Sequence, residues 1–448
     1  DYGENNIKQG KFSSKFKNSI ALSDDKEDLS YRDLQSKLIF FKKIINKKSL
    51  LILFSSNKIT SIIFYIFAIK HDCKIIILDE NHSENFVKKT IFKFKPNFIF
   101  FPKIKKILKN KKKIFIDDYA LCMTKKIIDK KINKKNSIIL TTSGTTSNPK
   151  FVRLSAENVY ENTYQIQKYL KINNKHRTIT TLPMAYSYGL SIINTHLEFG
   201  GRVYLSNLSP VNINFWKIIK KNKIYSFGSV PAMYEFLKKI KFEKLIPSGI
   251  KYLTVAGGKT NSETLKYLKL ICLEKKINFF VMYGQTEASP RISFIDITKN
   301  LKLKSIGKPV SGGKIELIDN EIVYTGKNVS LGYAESLGDL YMGDVNNGKL
   351  FTGDLGIKDD NGYFYITGRK KRISKLFGLR INLDDIQDYL QKKFYKIYLN
   401  INDNKIDIIY NQKYSEKIIK EYISQKYSIN KNYISCVYSN KIKKNIFK

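Results

Sequence analysis

The feature that most constrains the fold of this chain is residues 138–150, where a short apolar strand runs directly into a polar loop. Ile138, Ile139 and Leu140 predict a buried strand. The loop residues that can contact a ligand are Thr142, Ser143, Gly144, Thr145, Thr146 and Lys150. A glycine lets backbone N–H groups turn toward a ligand, hydroxyls add hydrogen bonds, and a lysine adds a mobile positive charge. The stretch therefore predicts an anion-binding loop, although it lacks the G-x-x-x-x-G-K-[ST] pattern of a P-loop.

The first hundred residues alternate predicted strands with predicted helices. Apolar runs at 50–54, 74–78 and 97–101 predict buried strands, and 59–70 and 85–94 predict the helices between them. Buried strands that alternate with helices are typical of a parallel sheet covered by helices. We therefore expect an α/β fold.

Composition limits the classes of function. The 448 residues suffice for two or three domain-sized units. The formal charge of +41 is spread along the whole chain, so it does not form a basic arm for nucleic acid, and no specific nucleic-acid partner is predicted. Four distant cysteines without a C-x-x-C pair, and no apparent signal peptide, favour a cytoplasmic protein. The longest apolar run, 59–69, is too short for a membrane span.

Four motifs carry a resemblance to a known family. They are residues 138–150, Tyr283-Gly-Gln-Thr-Glu287, Leu350-Phe-Thr-Gly-Asp354 and the run 365–375. Together they resemble the adenylate-forming (AMP-binding) superfamily, which includes acyl-CoA synthetases, peptide-synthetase adenylation domains and luciferases. The resemblance covers most of the chain. It implies a large N-terminal domain of layered α/β subdomains (1–368) and a small mobile α+β C-terminal lid (369–448).

The same resemblance assigns roles to individual residues. The loop would grip the triphosphate of ATP, and Asp354 and Arg369 would hold the ribose. The adenine would lie against Gly257, Gly258, Tyr283 and Gly284. Thr286 would contact the α-phosphate, and Glu287 is an oxygen ligand of the kind that Mg²⁺ prefers. Lys444 would be the adenylation lysine, acting with Thr286 and Glu287, and Lys371 the hinge. Ser147 and Phe151 replace glycines of the family and are expected to stiffen the loop.

The resemblance also points to an acid-binding pocket. Its predicted residues are Tyr186, Ser187, Tyr188, Gly189 and Met282. Amino-acid-activating relatives place an aspartate in this segment, and none occurs between Thr181 and Ile193, so we expect a plain carboxylic acid. The bulky side chains favour a short acid. A narrower resemblance leads to acyl-CoA-ligase-like proteins of bacterial surface-polysaccharide pathways.

The predicted reaction is ATP-dependent activation of a small carboxylic acid to an acyl-adenylate, with release of pyrophosphate. The acyl group would then pass to a thiol, either of coenzyme A or of phosphopantetheine on an acyl carrier protein. Two alternatives stay open: a catalytically weakened nucleotide-binding homologue, and a basic nucleic-acid-binding protein. Salt-dependent duplex binding would favour the second alternative.

Overall fold

The computed structural model describes residues 16–105, 107–108, 110–142, 150–370, 373–376, 379–391, 393–394, 397–402, 405–410, 414–427 and 429–438. These residues form two compact units. Unit 1 takes the described residues up to Ile315 together with Tyr324–Leu350, and unit 2 takes Glu316–Val323 and the chain from Phe351 onward.

Strands and helices alternate through most of unit 1. The strands in chain order are β1 (Ile20–Ser23), β2 (Asp28–Ser30), β3 (Leu50–Ser55), β4 (Lys74–Asp79), β5 (Phe98–Pro102), β6 (Lys113–Ile116), β7 (Tyr119–Met123), β8 (Ile138–Thr141), β9 (Phe151–Leu154), β10 (Arg177–Ile179), β11 (Arg202–Tyr204), β12 (Ser226–Ser229), β13 (Tyr252–Val255), β14 (Asn278–Gly284), β15 (Arg291–Asp296), β16 (Lys308–Pro309), β17 (Lys314–Ile318), β18 (Glu321–Thr325), β19 (Gly332–Ala334), β20 (Lys349–Lys358), β21 (Phe364–Arg369), β22 (Ile373–Leu376), β23 (Leu379–Asn382), β24 (Ile397–Asn402), β25 (Lys405–Tyr410) and β26 (Ile434–Tyr438). The helices are α1 (Tyr31–Lys42), α2 (Ile59–Lys70), α3 (Glu84–Phe94), α4 (Ala156–Leu170), α5 (Ser187–Glu198), α6 (Ile213–Lys221), α7 (Pro231–Lys239), α8 (Ser262–Glu274), α9 (Leu383–Gln391) and α10 (Glu416–Tyr427).

The first sheet of unit 1 has the strand order β19-β9-β8-β4-β3-β5-β7-β6. Its centre, from β8 to β5, is parallel. Strand β3 is buried along its whole length, as the continuous apolar run predicts for a parallel strand covered on both faces. The predicted strands and helices of the first hundred residues are confirmed here.

The second sheet of unit 1 has the order β16-β15-β14-β13-β12-β10-β11-β1-β2. Strands β12, β13 and β14 pair in parallel, so their carboxyl ends meet at one edge of the sheet. Strand β15 then returns antiparallel to β14. Ligands of open α/β sheets bind at this kind of edge, and the predicted acid and adenine residues belong to it.

Helices α1, α2 and α5 and strands of both sheets contribute to one apolar core. In α2, ten of the 12 residues are buried, because apolar side chains occupy nearly every face of the helix. Local signals fix where helices begin. Ser155 and Asn158 form a reciprocal capping box at α4, and Pro231 opens α7. This layered arrangement confirms the α/β fold class.

Unit 2 is a smaller α+β unit. It contains a sheet in the order β17-β18-β20-β21, the pair β22-β23, and a sheet in the order β24-β25-β26. Helices α9 and α10 bury Ile386, Leu390, Ile419 and Ile423 against Ile406 and Ile408 of β25 in a separate core. Unit 2 includes residues 351–368, whereas the predicted lid begins at 369. The division at 369 and the hinge therefore stay predictions.

Candidate functional site

The Thr286–Glu287 turn is held by strands on both sides. It is a single 3₁₀ turn, Thr286–Ala288, between β14 and β15. Tyr283 and Gly284 end β14 just before it. Thr286 is buried, and its hydroxyl lies 3.1 Å from the hydroxyl of Ser187 at the start of α5. The structure thus brings a predicted phosphate contact next to a predicted pocket residue.

Glu287 lies beside a residue that sequence reasoning missed. The Tyr333 hydroxyl donates to Glu287 Oε1 at 2.7 Å, and the Lys150 Nζ lies 4.7 Å from the centre of the Tyr333 ring. Burial and the Glu287 charge raise the pKa of Tyr333, so the phenol stays protonated and can donate. Tyr333 therefore connects Lys150 to Glu287. Its signal in the sequence is its place between the motifs at 283–287 and 350–354.

The two ends of the anion-binding loop meet. Strands β8 and β9 pair antiparallel, with Thr141 opposite Phe151, and the Thr142 N–H donates to the Lys150 carbonyl at 2.9 Å. Ser143, Gly144, Thr145 and Thr146 lie outside the described residues, as does Ser147. The described ends show that the loop connects two neighbouring strands, as a hairpin does.

Phe151 lies in the core rather than in the loop. It is buried on β9, stacks on Phe86 with ring centres 6.2 Å apart, and meets the edge of Phe94 at 4.8 Å. An aromatic ring at this position fills space between β9 and α3. Its packing gives a reason for the phenylalanine that does not involve loop stiffness.

Two glycines leave bare backbone at the end of β13. Gly257 has φ +87°, which side chains rarely adopt, and a Cβ there would lie 2.2 Å from the Tyr186 hydroxyl. Gly258 differs, because a Cβ there would meet only Pro231 at an ordinary 3.5 Å. Packing in the protein does not require a glycine at 258. A flat ligand lying against the backbone would require one, so this edge fits the predicted adenine position.

Tyr186, Ser187, Tyr188 and Gly189 lie together at the start of α5. Tyr186 is half-buried and Tyr188 is buried, with its hydroxyl 2.6 Å from that of Thr254. Burial raises the pKa of both phenols. Met282 accepts a hydrogen bond from Tyr169 at 2.9 Å. Tyr188, Met282 and Arg291 line a cavity of about 20 Å³, which has room for about one water molecule.

The predicted ribose residues, Asp354 and Arg369, are cross-strand partners in unit 2. They face each other in the β20–β21 pair, and Arg369 Nε lies 2.8 Å from the Asp354 carboxylate. The Asp354 side chain is 3% exposed and that of Arg369 is 64% exposed. Thr352 holds the backbone of β20 next to Asp354, because its hydroxyl accepts a hydrogen bond from the Asp354 N–H and donates one to the Ile322 carbonyl. An ionised carboxylate has about four acceptor positions, so it can accept from ribose hydroxyls and from Arg369 together.

The remaining predicted residues lie outside the described part of the chain. Lys371 and Lys444 are both among them. Their roles as hinge and adenylation lysine stay predictions.

Oxygen ligands at the site suit Mg²⁺ better than transition metals. Within the described residues, no group of three or more His, Cys, Asp or Glu side chains could hold a metal ion. Mg²⁺ does not need such a cage, since it keeps waters and takes one or two carboxylates plus phosphate oxygens. The half-exposed carboxylate of Glu287 fits that requirement.

His196 is a buried structural residue. Its Nδ1 lies 2.8 Å from the Ile192 carbonyl and its Nε2 lies 3.4 Å from the Tyr252 hydroxyl. Burial lowers the pKa of His196 to about 4, so the ring is neutral at pH 7.

Comparison with known proteins places this geometry in context. Residues 11–342 match the family model described as AMP-binding enzyme. The chain is 27% identical over 269 residues to a 2-succinylbenzoate–CoA ligase of Bacillus cereus, an alignment that covers 57% of this chain and 54% of that protein. It is 26% identical over 417 residues to a D-alanine–D-alanyl carrier protein ligase of Staphylococcus aureus, covering 87% of this chain and 84% of that protein.

A solved structure shares the fold over nearly the whole chain. The o-succinylbenzoate CoA synthetase (MenE) from Bacillus subtilis, in complex with the acyl-adenylate intermediate OSB-AMP, superposes with a TM-score of 0.76 at 18% identity. The match covers 98% of this chain and 95% of that chain. In the sequence comparison, by contrast, the chain spans about half the length of the 2-succinylbenzoate–CoA ligase that it matches.

Proposed function

The chain belongs to the AMP-binding enzyme family, and from that premise we propose that it is an AMP-forming acid–thiol ligase. In the first half-reaction, a carboxylate oxygen of the acid attacks the α-phosphorus of ATP, and the bond to pyrophosphate breaks. In the second, a thiol sulfur attacks the acyl carbon of the acyl-adenylate, AMP leaves, and the thiol proton is lost. The acceptor is coenzyme A or the phosphopantetheine of a carrier protein. The relatives named above include one ligase of each kind.

One observation carries the proposal: residues from three distant stretches converge in unit 1. Lys150 ends the anion-binding loop, Tyr333 connects it to Glu287, and Thr286 contacts Ser187 at the acid pocket. A site for acid activation must bring the phosphates of ATP next to the carboxylate of the acid. The residues that converge in unit 1 meet this requirement.

The residues act by positioning and by charge. Lys150 neutralises phosphate charge, and Thr286 donates a hydrogen bond to the α-phosphate beside the incoming acid. Mg²⁺, when bound through Glu287, supplies further neutralisation of the phosphates. Asp354 and Arg369 fix the ribose. In phosphoryl-transfer reactions such positioning and electrostatic stabilisation account for most of the rate enhancement.

The finer assignments are proposals as well. We place the reaction in the cytoplasm, where ATP and coenzyme A are available and thiols stay reduced; Cys73, Cys122, Cys272 and Cys436 are all unpaired. Among the described residues, every helix is too short or too polar to reach across a lipid bilayer. The narrower resemblance to proteins of surface-polysaccharide pathways stays a prediction.

The decisive experiment measures pyrophosphate release from ATP across a panel of short carboxylic acids, with and without coenzyme A. We expect acid-dependent release in the wild type and a loss of about 100-fold or more in Lys150→Ala, because one preorganised charge is removed from the phosphates. Lys175→Ala, which removes an exposed lysine elsewhere in unit 1, is the matched control. Binding of ATP without release for any acid would instead identify a catalytically weakened homologue. Equal release by the wild type and Lys150→Ala would refute the proposed site.

A further inference from the structure

Arg291 is a buried arginine that the proposed reaction does not use. It is the first residue of β15 and is 2% exposed. Its Nε is buried without a hydrogen-bond partner, and its guanidinium pairs with no carboxylate of the described chain. Burying a charge without an opposite charge is costly, and in folded proteins buried charges are normally paired. We therefore expect Arg291 to have a negatively charged partner.

A second buried arginine shows how this protein satisfies such a group when its role is structural. Arg153 is fully buried, and its guanidinium donates to four backbone carbonyls at 2.7–3.1 Å. Those carbonyls belong to Leu331, Tyr333, Met342 and Gly343. Arg291 has no comparable set: its side chain interacts with the Tyr169 hydroxyl and with the Tyr188 ring, and neither group is an anion. The contrast indicates that the described part of the chain supplies no negatively charged partner for Arg291.

The surroundings of Arg291 supply no negative charge. Its guanidinium carbon lies 5.0 Å from the centre of the Tyr188 ring. Burial raises the pKa of Tyr188 and Tyr169, and Arg291 only partly opposes that rise, so both phenols are neutral near pH 7. His196, on the same cavity, is neutral too. Among the described residues that line the cavity, none is an aspartate or a glutamate. The cavity thus carries one uncompensated positive charge.

Arg291 is also connected to the reacting end of the site. Consecutive residues of α5 make the connection: Ser187 contacts Thr286, where the acid would be activated, and Tyr188 lies against Arg291. An acid bound with its reacting carboxylate near Thr286 would extend its other end toward the guanidinium. The cavity of about 20 Å³ leaves space for only a small group there.

We propose that the cavity beside Arg291 receives the second carboxylate of a short dicarboxylic acid, which makes Arg291 the residue that selects the substrate. The inference rests on the proposed function and names the substrate class of the same site. A carboxylate would accept hydrogen bonds from the guanidinium and supply the missing negative charge. An ammonium group at the same place would be repelled, so α-amino acids are poor substrates.

The test compares acids of equal chain length. Pyrophosphate release is measured with malonate, succinate and glutarate against propionate, butyrate and valerate, and with D-alanine. We expect kcat/KM for the best diacid to exceed that for its matched monoacid by about 100-fold, because the monoacid leaves the guanidinium unpaired. In Arg291→Gln this ratio is expected to fall to near one. A wild-type enzyme that uses the matched monoacid equally well would overturn the proposal.

Two variants separate charge from packing. Arg291→Lys keeps the charge and is expected to retain a higher ratio than Arg291→Gln; equal ratios in both would contradict electrostatic selection. Arg202→Gln is the matched control, because it removes an arginine of unit 1 that pairs with Asp28 outside the cavity. Its ratio is expected to equal that of the wild type.

A binding measurement keeps this inference distinct from the proposed function. Calorimetry without nucleotide is run on the wild type and on Arg291→Gln with succinate and butyrate. We expect succinate to bind at least about tenfold more tightly than butyrate, and only in the wild type. Such binding without any pyrophosphate release would sink the ligase proposal and support the selective cavity. Release of pyrophosphate with monoacids alone, together with no preferential binding of succinate, would support the ligase proposal and refute the selective cavity.

Discussion

Arg291 in unit 1 and Arg369 in unit 2 belong to regions that differ in which charge is buried, the cation or the anion. Arg291 is 2% exposed and has no carboxylate partner in the described chain, whereas the Arg369 side chain is 64% exposed and covers the buried carboxylate of Asp354. In the first region the cation is desolvated and awaits an anion. In the second the anion is desolvated and the cation remains in contact with water. In each region the buried charge is the fixed part of the site, and its partner is the part that a ligand can supply or displace.

Replacing Asp354, the buried carboxylate of unit 2, is expected to have the largest effect on pyrophosphate release. We expect Asp354→Ala to lower acid-dependent pyrophosphate release by about 1,000-fold or more, because ATP loses a ribose contact and Arg369 loses the carboxylate that orients it. Asp360→Ala removes an exposed carboxylate a few residues away and serves as the control. Release that survives unchanged in Asp354→Ala would remove this residue from the nucleotide site.

Low pH is expected to lower the free energy of unfolding, because buried His196 in unit 1 becomes protonated. The unfolded imidazole titrates near pH 6.5, and burial lowers the folded pKa to about 4. The unfolded chain therefore binds the proton more readily, and stability is lost as the pH falls from about 6.5 to about 4. The loss is about 3 kcal/mol for two and a half pKa units.

Urea denaturation of the wild type and of His196→Gln measures this contribution as a difference. The stability advantage of the wild type should shrink by about 3 kcal/mol between pH 7 and pH 4. Burial raises the pKa of nearby Glu198 to about 7, which acts in the opposite direction. Glu198 is present in both proteins, so its contribution cancels. A difference independent of pH would mean that the imidazole is not desolvated.

Removing the cation that pairs with Asp354 should affect both ATP use and stability. We expect Arg369→Ala to lower kcat/KM for ATP by about 10- to 30-fold and also to lower the urea midpoint, because Arg369 no longer pairs with the buried Asp354 carboxylate. Lys370→Ala is a close control, since Lys370 pairs with the buried Glu321 at 2.8 Å and is similarly exposed. A loss of ATP use in both variants would indicate a general effect of positive charge on this hairpin.

How far the sequence predicts these regions depends on the range of the contacts. Alternating strands and helices predict the first sheet, because periodicity is a local signal. Asp354 and Arg369 are both identifiable from their motifs. Their pairing follows only from the register of β20 and β21, which contains an irregularity between Leu355 and Gly356. No local pattern specifies such a register.

Other parts of the site depend on contacts between residues far apart in the chain. Tyr333 reaches Glu287 across 46 positions. The Arg291 backbone is held from α4, because the Asn162 side chain accepts from the Arg291 N–H and donates to its carbonyl. In the sequence, Arg291 is only a cation four residues after Glu287 at the start of an apolar strand. Its burial could not be predicted without the packing of that helix.

The two buried arginines of unit 1 are expected to respond to methionine with opposite changes in stability, and the change at Arg291 is the smallest of the expected effects. Arg291→Met should raise the free energy of unfolding by about 1 kcal/mol, since an apolar side chain of similar length replaces an unpaired buried charge. Arg153→Met should lower it by several kcal/mol, because it removes four hydrogen bonds to backbone carbonyls from a fully buried guanidinium. Urea denaturation of both variants gives the signs. Opposite signs mean that Arg291 is retained at a cost in stability, as expected for a residue kept for its ligand. A loss of more than about 2 kcal/mol in Arg291→Met would make it a structural residue like Arg153.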